Sequence, residues 1–258
     1  MSASVRTILD EAVQRYERTA FIADDPISIP HAFDDPLDRE IIGLYAALLA
    51  WGRRATILNK LADLCERMQY RPGAFVRDFE PERDAHRLAG FKHRTFQPAD
   101  AVWLTKALSL VLHRHGSLNQ LFLAHHRSDA EDVQAGLEGF SNELLTIVPE
   151  TPARVKKHVA RPSTKSACKR LNMYLRWMVR PGPVDFEQWT GVHLRQLVLP
   201  LDVHSGTQAR QLGLLTRKQN DWRAAAELTD SCRLLNPNDP ARYDFALFGL
   251  GAYSGEAI

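Results

Sequence analysis

The sequence predicts an all-α protein. Its apolar residues recur almost everywhere at the helical intervals i, i+3, i+4 and i+7. No alternating apolar–polar run lies between hairpin turns, so no strand is expected. Asp or Ser opens the periodic runs, and Gly or Asn-Pro closes them. Asp35-Pro36 precedes Ile41, Leu44, Tyr45 and Leu48, one apolar helix face. Asp100 introduces Val102 to His115, Gly116 stops that helix and Ser117 caps the next. Leu137 to Ile147 is a short helix. Lys165 to Arg180 places Leu171, Tyr174, Leu175 and Met178 in one stripe. Asp202 caps Val203 to Leu215, and Asp221 opens Trp222 to Leu235 before Asn236-Pro237. Asp239-Pro240 opens Ala241 to Gly251. Pro181-Gly182-Pro183 is a rigid break, and Asp24 to Pro36 is read as an irregular loop. Neither forces a domain boundary. The expectation is one α-helical domain over 1–258, with a partly irregular segment at 1–35 and a basic hairpin-like segment at 151–180.

The 258 residues supply ample apolar material for a core, and ordinary Gly, Pro and charge contents exclude disordered and fibrous classes. The net charge of +2 conceals a segregation. The 34 residues between Glu150 and Asp185 contain no acid and nine cations: Arg154, Lys156, Lys157, Arg161, Lys165, Lys169, Arg170, Arg176 and Arg180. Taking these nine from 33 leaves 24 cations against 31 acids elsewhere. Such a segment is either a solvated basic face or a surface for a polyanion. Cys65, Cys168 and Cys232 are widely spaced and form no C-x-x-C pair, which argues against a zinc ribbon or an iron–sulfur cluster. No secretory signal pattern or membrane-length apolar run is present, so a cytoplasmic protein is expected.

Within the basic segment, Lys165 and Lys169 are four apart, as are Arg176 and Arg180, so each pair is expected to share a helix face. Ser163, Thr164 and Ser166 stand where that helix is expected to begin. Amides, hydroxyls and cations at a helix start contact phosphates well. Arg161, Ser163, Lys165, Arg170 and Arg176 are therefore candidate nucleic-acid backbone contacts, and an ordinary capped helix is the other reading. Asp202 is either only a cap beside a polar His204 or a carboxylate held ionised for chemistry. No further ligand cluster accompanies Asp202 and His204, so no metal is assigned. Lys169 is the candidate nucleophile, because neighbouring cations or an apolar face favour the neutral amine that attacks.

The runs Lys169–Trp177 (KRLNMYLRW), Pro200–His204 (PLDVH) and Tyr243–Gly249 (YDFALFG), with Ala46–Arg54 (AALLAWGRR) and Arg94-Thr95-Phe96, resemble an uncharacterised bacterial family. That family is similar to the helix-hairpin-helix (HhH-GPD) DNA glycosylases, and most similar to the compact 8-oxoguanine DNA glycosylase/lyases of archaea and bacteria. The resemblance implies the compact helical fold of those enzymes. It also implies that Lys169 attacks the sugar C1′ while Asp202 stabilises the developing positive charge and moves protons. Asp244 and Phe248 would stand near the flipped base, with Trp51, Arg53 and Arg54 on another wall and His204 beside the substrate. Core packing is the competing role for Trp51 and Phe248. The hairpin of the superfamily is glycine-rich, whereas Pro162 to Cys168 contains no glycine. The Lys169-to-Asp202 interval is also long, with an added turn at Pro181 to Trp189.

The expected function is base-excision removal of a damaged purine, with or without lyase action, needing no cofactor. The expected partner is nucleic acid, DNA before RNA, and no membrane or metal cluster. Localisation would then be cytoplasmic and nucleoid-associated. A non-catalytic nucleic-acid or nucleotide binder on the same fold, and a protein-interaction scaffold, are the alternatives.

Overall fold

The computed structural model describes residues 3–149 and 151–252; the remaining residues of the expected 1–258 domain lie outside the description. Among the described residues the backbone forms α1 (Ala3–Tyr16), α2 (Ser28–His31), α3 (Pro36–Leu49), α4 (Arg54–Arg67), α5 (Pro72–Arg77), α6 (Pro81–Asp84) and α7 (Pro98–His115). There follow α8 (Leu118–Leu123), α9 (Gln134–Thr146), α10 (Lys169–Val179), α11 (Val203–Gln211), α12 (Trp222–Leu235) and α13 (Tyr243–Ala252). One isolated antiparallel bridge joins His93 to Phe96, and no strand is present among these residues. The fold is all-α.

The helices belong to two compact units. A central unit comprises Ile22–Arg127 and Ala135–Ala160; a terminal unit comprises Met1–Phe21, Ser128–Gln134 and Arg161–Ile258.

In the central unit, α3 starts where Asp35 accepts the amides of Leu37 and Asp38, both at 2.9 Å, with Pro36 in the first turn. Every residue from Glu40 to Leu49 is buried, which makes α3 the axis of this unit. Glu40 is buried with it because its carboxylate accepts the Leu118 and Asn119 amides, each at 2.9 Å, at the positive start of α8. Tyr45 on α3 shares a 2.7 Å hydroxyl contact with Thr105 on α7. Helix α7 begins earlier than the sequence suggests: Asp100 is its third residue, closing a capping box on the Gln97 amide at 2.9 Å. It ends at Gly116, and Ser117 caps α8 by accepting the Gln120 amide at 3.1 Å.

In the terminal unit, α12 runs over the predicted Trp222 to Leu235, with the Ala224 amide bonded to Asp221 at 3.0 Å. Helix α11 stops at Gln211 rather than Leu215, and Leu214 and Leu215 are buried in the loop that follows. The N-terminal segment read as partly irregular is mostly helical among the described residues: α1 belongs to this unit, α2 to the central one, and a 3-10 stretch at Thr19–Asp24 runs between them. Helices α1 and α13 pack closely because Gly249 lacks a side chain: a Cβ there would lie 2.1 Å from the Tyr16 ring. Tyr243 on α13 donates to Asp10 on α1 at 3.0 Å. The three cysteines are free and buried. No helix among the described residues is long and apolar enough to cross a membrane.

Glu143 on α9 ties the end of α7 to the loop after α8. It pairs with Arg114 and His115 through one oxygen, at 2.9 and 2.7 Å, and with His125 through the other at 2.8 Å. Burial pushes this carboxyl up, but His115, His125 and Arg114 outweigh it and hold it down at about 2. A depressed folded value means that the contribution to stability is full above the unfolded value of 4.5 and is lost as pH falls through about 2. Glu143→Gln should therefore destabilise by about 2–3 kcal/mol at pH 6. In urea unfolding across pH, its gap from the wild type should close below the unfolded value; a constant gap would refute the linkage.

Candidate active site

Helix α10 begins four residues later than its periodicity suggests. Pro162–Thr164 form a 3-10 turn, and Lys165 then adopts the left-handed conformation (φ 61°) instead of continuing into a helix. Lys165 and Lys169 consequently do not share a helix face. Cys168 is also left-handed (φ 51°), immediately before the first residue of α10. Positive φ costs a non-glycine residue on the order of 1–2 kcal/mol, so local bonds must enforce the turn. The Cys168 amide donates to Ser166 Oγ at 3.1 Å, and buried Asn172 donates from Nδ2 to the Ala167 carbonyl at 3.1 Å. The segment thus makes two left-handed turns without glycine, leaving Ser163, Thr164 and Lys165 exposed.

Lys169 stands at the start of α10 and reaches the N-cap of α11. Its Nζ donates to Asp202 Oδ2 at 2.7 Å, with the two side chains 34% and 16% exposed. The other oxygen of Asp202 performs the cap: Oδ1 accepts the Ser205 amide at 2.9 Å and the Ser205 hydroxyl at 3.1 Å. Ser205 Oγ in turn accepts the Asp202 amide at 2.9 Å, which completes a capping box. Burial pushes the Asp202 carboxyl up, yet Lys169 and the two Ser205 donors outweigh it and hold it below the usual carboxylate range. Cap and ion pair are therefore both present, divided between the two oxygens. His204, two residues after Asp202, is exposed.

Below this pair the same edge of α10 carries Arg176 and, at its C-cap, Arg180, and both turn inward. Arg176 is 4% exposed, donates to Asp185 at 3.3 Å and pairs closely with Asp244. Its guanidinium lies 4.1 Å from the centre of the Phe245 ring. Arg176 is therefore not a nucleic-acid backbone contact: burial and two carboxylates occupy it inside the unit. Arg180 is equally buried and binds Asp185 at 2.6 Å, Asp239 at 2.8 Å and Glu17 at 3.0 Å. Asp239 serves Arg180 rather than capping the following helix, where it makes no side-chain cap. Burial pushes the Asp244 carboxyl up to about 6, with Arg176 opposing and the Asp202 charge adding to the rise.

Of the other expected residues in this unit, Arg161 and Arg170 are half-buried, and burial lowers the Arg170 guanidinium from its ordinary value. Phe248 is half-buried, edge-on to Phe21 with ring centroids 6.1 Å apart. In the central unit, the Trp51 ring lies under the Arg94 guanidinium at 5.0 Å and edge-on to His93 at 5.5 Å. Arg53 is the exposed N-cap of α4, and Arg54 its half-buried first residue. Sequence reasoning missed Asp185, Asp239 and Glu17 as partners of α10. Ser205, three residues after Asp202, was readable as half of a capping box. No group of three or more His, Cys, Asp or Glu side chains among the described residues could hold a metal ion.

Replacing Arg176 by Met strands Asp244 and leaves Asp185 to Arg180 alone, a loss of about 3–5 kcal/mol for a broken buried pair. Chemical denaturation should show that loss for Arg176→Met and a loss below 1 kcal/mol for Lys165→Gln; equal small effects would contradict the buried placement.

A model of the family described as protein of unknown function (DUF2400) matches residues 25–253. No curated protein and no solved structure matches the chain.

Proposed function

The chain belongs to the DUF2400 family, and we propose that it is a base-excision DNA glycosylase whose nucleophile is Lys169. The observation that carries this reading is the 2.7 Å bond between the partly accessible Lys169 amine and the Asp202 carboxylate. An ammonium bonded to a carboxylate can hand over its proton along that bond, which leaves an amine ready to attack. Asp202 is held rigidly because its second oxygen is engaged by Ser205. A fixed carboxylate stabilises the oxocarbenium-like sugar that forms as the base departs.

In the reaction, a damaged purine nucleotide leaves the base stack so that its C1′ becomes accessible. The Lys169 nitrogen bonds to C1′, the C1′–N glycosidic bond breaks, and the base leaves with that electron pair and takes the proton that Asp202 received from Lys169, which returns Asp202 to the carboxylate. The C1′–O4′ bond then breaks, O4′ keeps the electron pair and gains a proton lost by the nitrogen, and a Schiff base joins Lys169 to C1′. Water releases it, or β-elimination cleaves the 3′ phosphate ester and gives the lyase product.

The test uses lesion-containing duplexes and borohydride, which reduces the Schiff base to a stable adduct. The wild type should be trapped on at least one damaged purine, and Lys169→Gln should give no adduct. Asp202→Asn should slow base release by about 10²-fold or more, as when a preorganised charge-stabilising group is lost. Asn is as good an N-cap as Asp, so this variant loses the Lys169 ion pair alone and its melting temperature should fall by only about 2–4 °C. Failure of the wild type to release or trap any base from a broad panel would refute the proposal.

A further inference from the structure

A second basic surface stands beside the Lys169–Asp202 pair. The segment Thr216–Asn220 leads into α12 and contains Arg217 and Lys218, and Arg223 follows on the first turn of the helix. Arg210 on α11 gathers the carbonyls of this loop inward: it donates to the Arg217 carbonyl at 2.7 and 2.9 Å, the Lys218 carbonyl at 3.0 Å and Asn220 Oδ1 at 2.7 Å. The other end of the Asn220 amide donates to the Asp202 carbonyl at 2.9 Å, one hydrogen bond from the candidate site. A Cβ on Gly206 would lie 2.9 Å from the Arg210 guanidinium and 3.1 Å from Asn220, so this clamp closes over a bare glycine.

The acids nearby are already engaged. Glu227 accepts the Thr216 amide and hydroxyl, both at 2.6 Å, and Asp221 holds Arg217 at 2.5 Å while capping α12. Lys218 and Arg223 are exposed and form no salt bridge within the described residues. They line an open cleft of about 580 Å³ together with Thr216, Arg217, Gln219 and Glu227. Backbone turned inward, acids satisfied and two cations turned outward make a fixed cationic shelf rather than a mobile loop.

We propose that this shelf grips the phosphate backbone of the nucleic-acid strand flanking the reacting nucleotide, an inference that rests on the nucleic-acid reading above. Phosphate contacts set register without reading sequence, so the shelf positions the strand while Lys169 and Asp202 act on it.

The experiment measures fluorescence anisotropy of a labelled duplex carrying an abasic-site analogue, from about 50 to 200 mM salt. Each phosphate contact contributes about 0.9 to the slope of log affinity against log salt, so Lys218→Gln/Arg223→Gln should flatten the wild-type slope by nearly 2. The weakening should be the same for unrelated sequences, and the melting temperature should not change. The charge-keeping pair Lys218→Arg/Arg223→Lys should retain the wild-type slope. A salt-dependent wild type whose slope survives the Gln variant overturns the shelf and leaves the glycosylase reading standing. A wild type with no affinity for any oligonucleotide overturns both.

Discussion

Everything in the terminal unit hangs on the row of ion pairs along one edge of α10. Arg176 and Arg180 are placed in a dry interior where an unpaired guanidinium would cost several kcal/mol. Their four carboxylates come from distant segments: Glu17 after α1, Asp185 in the loop after α10, Asp239 before α13, and Asp244 within it. Satisfying two guanidiniums thus fixes the approach of several elements at once. Buried ion pairs are seldom the strongest source of net stability, but a partner displaced by a few ångströms leaves a stranded charge. That penalty falls on misassembled alternatives, and the apolar stripe of Leu171, Tyr174, Leu175 and Met178, all buried, supplies the burial energy.

The row also changes character along its length. Its inner rungs are arginines, which remain charged and bind carboxylates in fixed fork geometry. Its outermost rung is a lysine, and an ammonium can surrender its proton to a carboxylate where a guanidinium does not. Exposure follows the same gradient, from 3% for the Arg180 side chain to 34% for Lys169. The arginine pairs anchor the helix, and the lysine pair stands at the accessible end. The short, capped geometry of α11 then holds Asp202 opposite it.

What could be read in the sequence was local. Asp35, Ser117, Asp202 and Asp221 cap helices as their positions before apolar runs suggest, and Gly116 ends one. Caps are legible because their partners lie within three residues. The start of α10 was not, since the apolar period continues smoothly backwards and nothing in Lys165 or Cys168 announces a left-handed turn. Nor was the inward direction of Arg176 and Arg180: a cation normally signals surface, and the acids that reverse this lie up to 163 residues away. Asp239 looked like a helix opener for the same reason. The pairing of Lys169 with Asp202 spans 33 residues and was expected only through the family resemblance, not from any spacing rule. The two compact units were invisible because one of them is assembled from three separate stretches of chain.

That discontinuity orders events during synthesis. The central unit draws most of its residues from one continuous stretch, Ile22–Arg127, completed by Ala135–Ala160. It can collapse while translation is still under way. Helix α1 precedes the central unit in the chain, yet its partners follow it: Glu17 pairs with Arg180, and Asp10 and Tyr16 meet Tyr243 and Gly249. The residues of α1 are therefore made well before those they pack against. Closing that long loop is entropically slow. Lys169 and Asp202 both belong to the terminal unit, so a chain interrupted before Asp202 carries every residue of the central unit and not the pair.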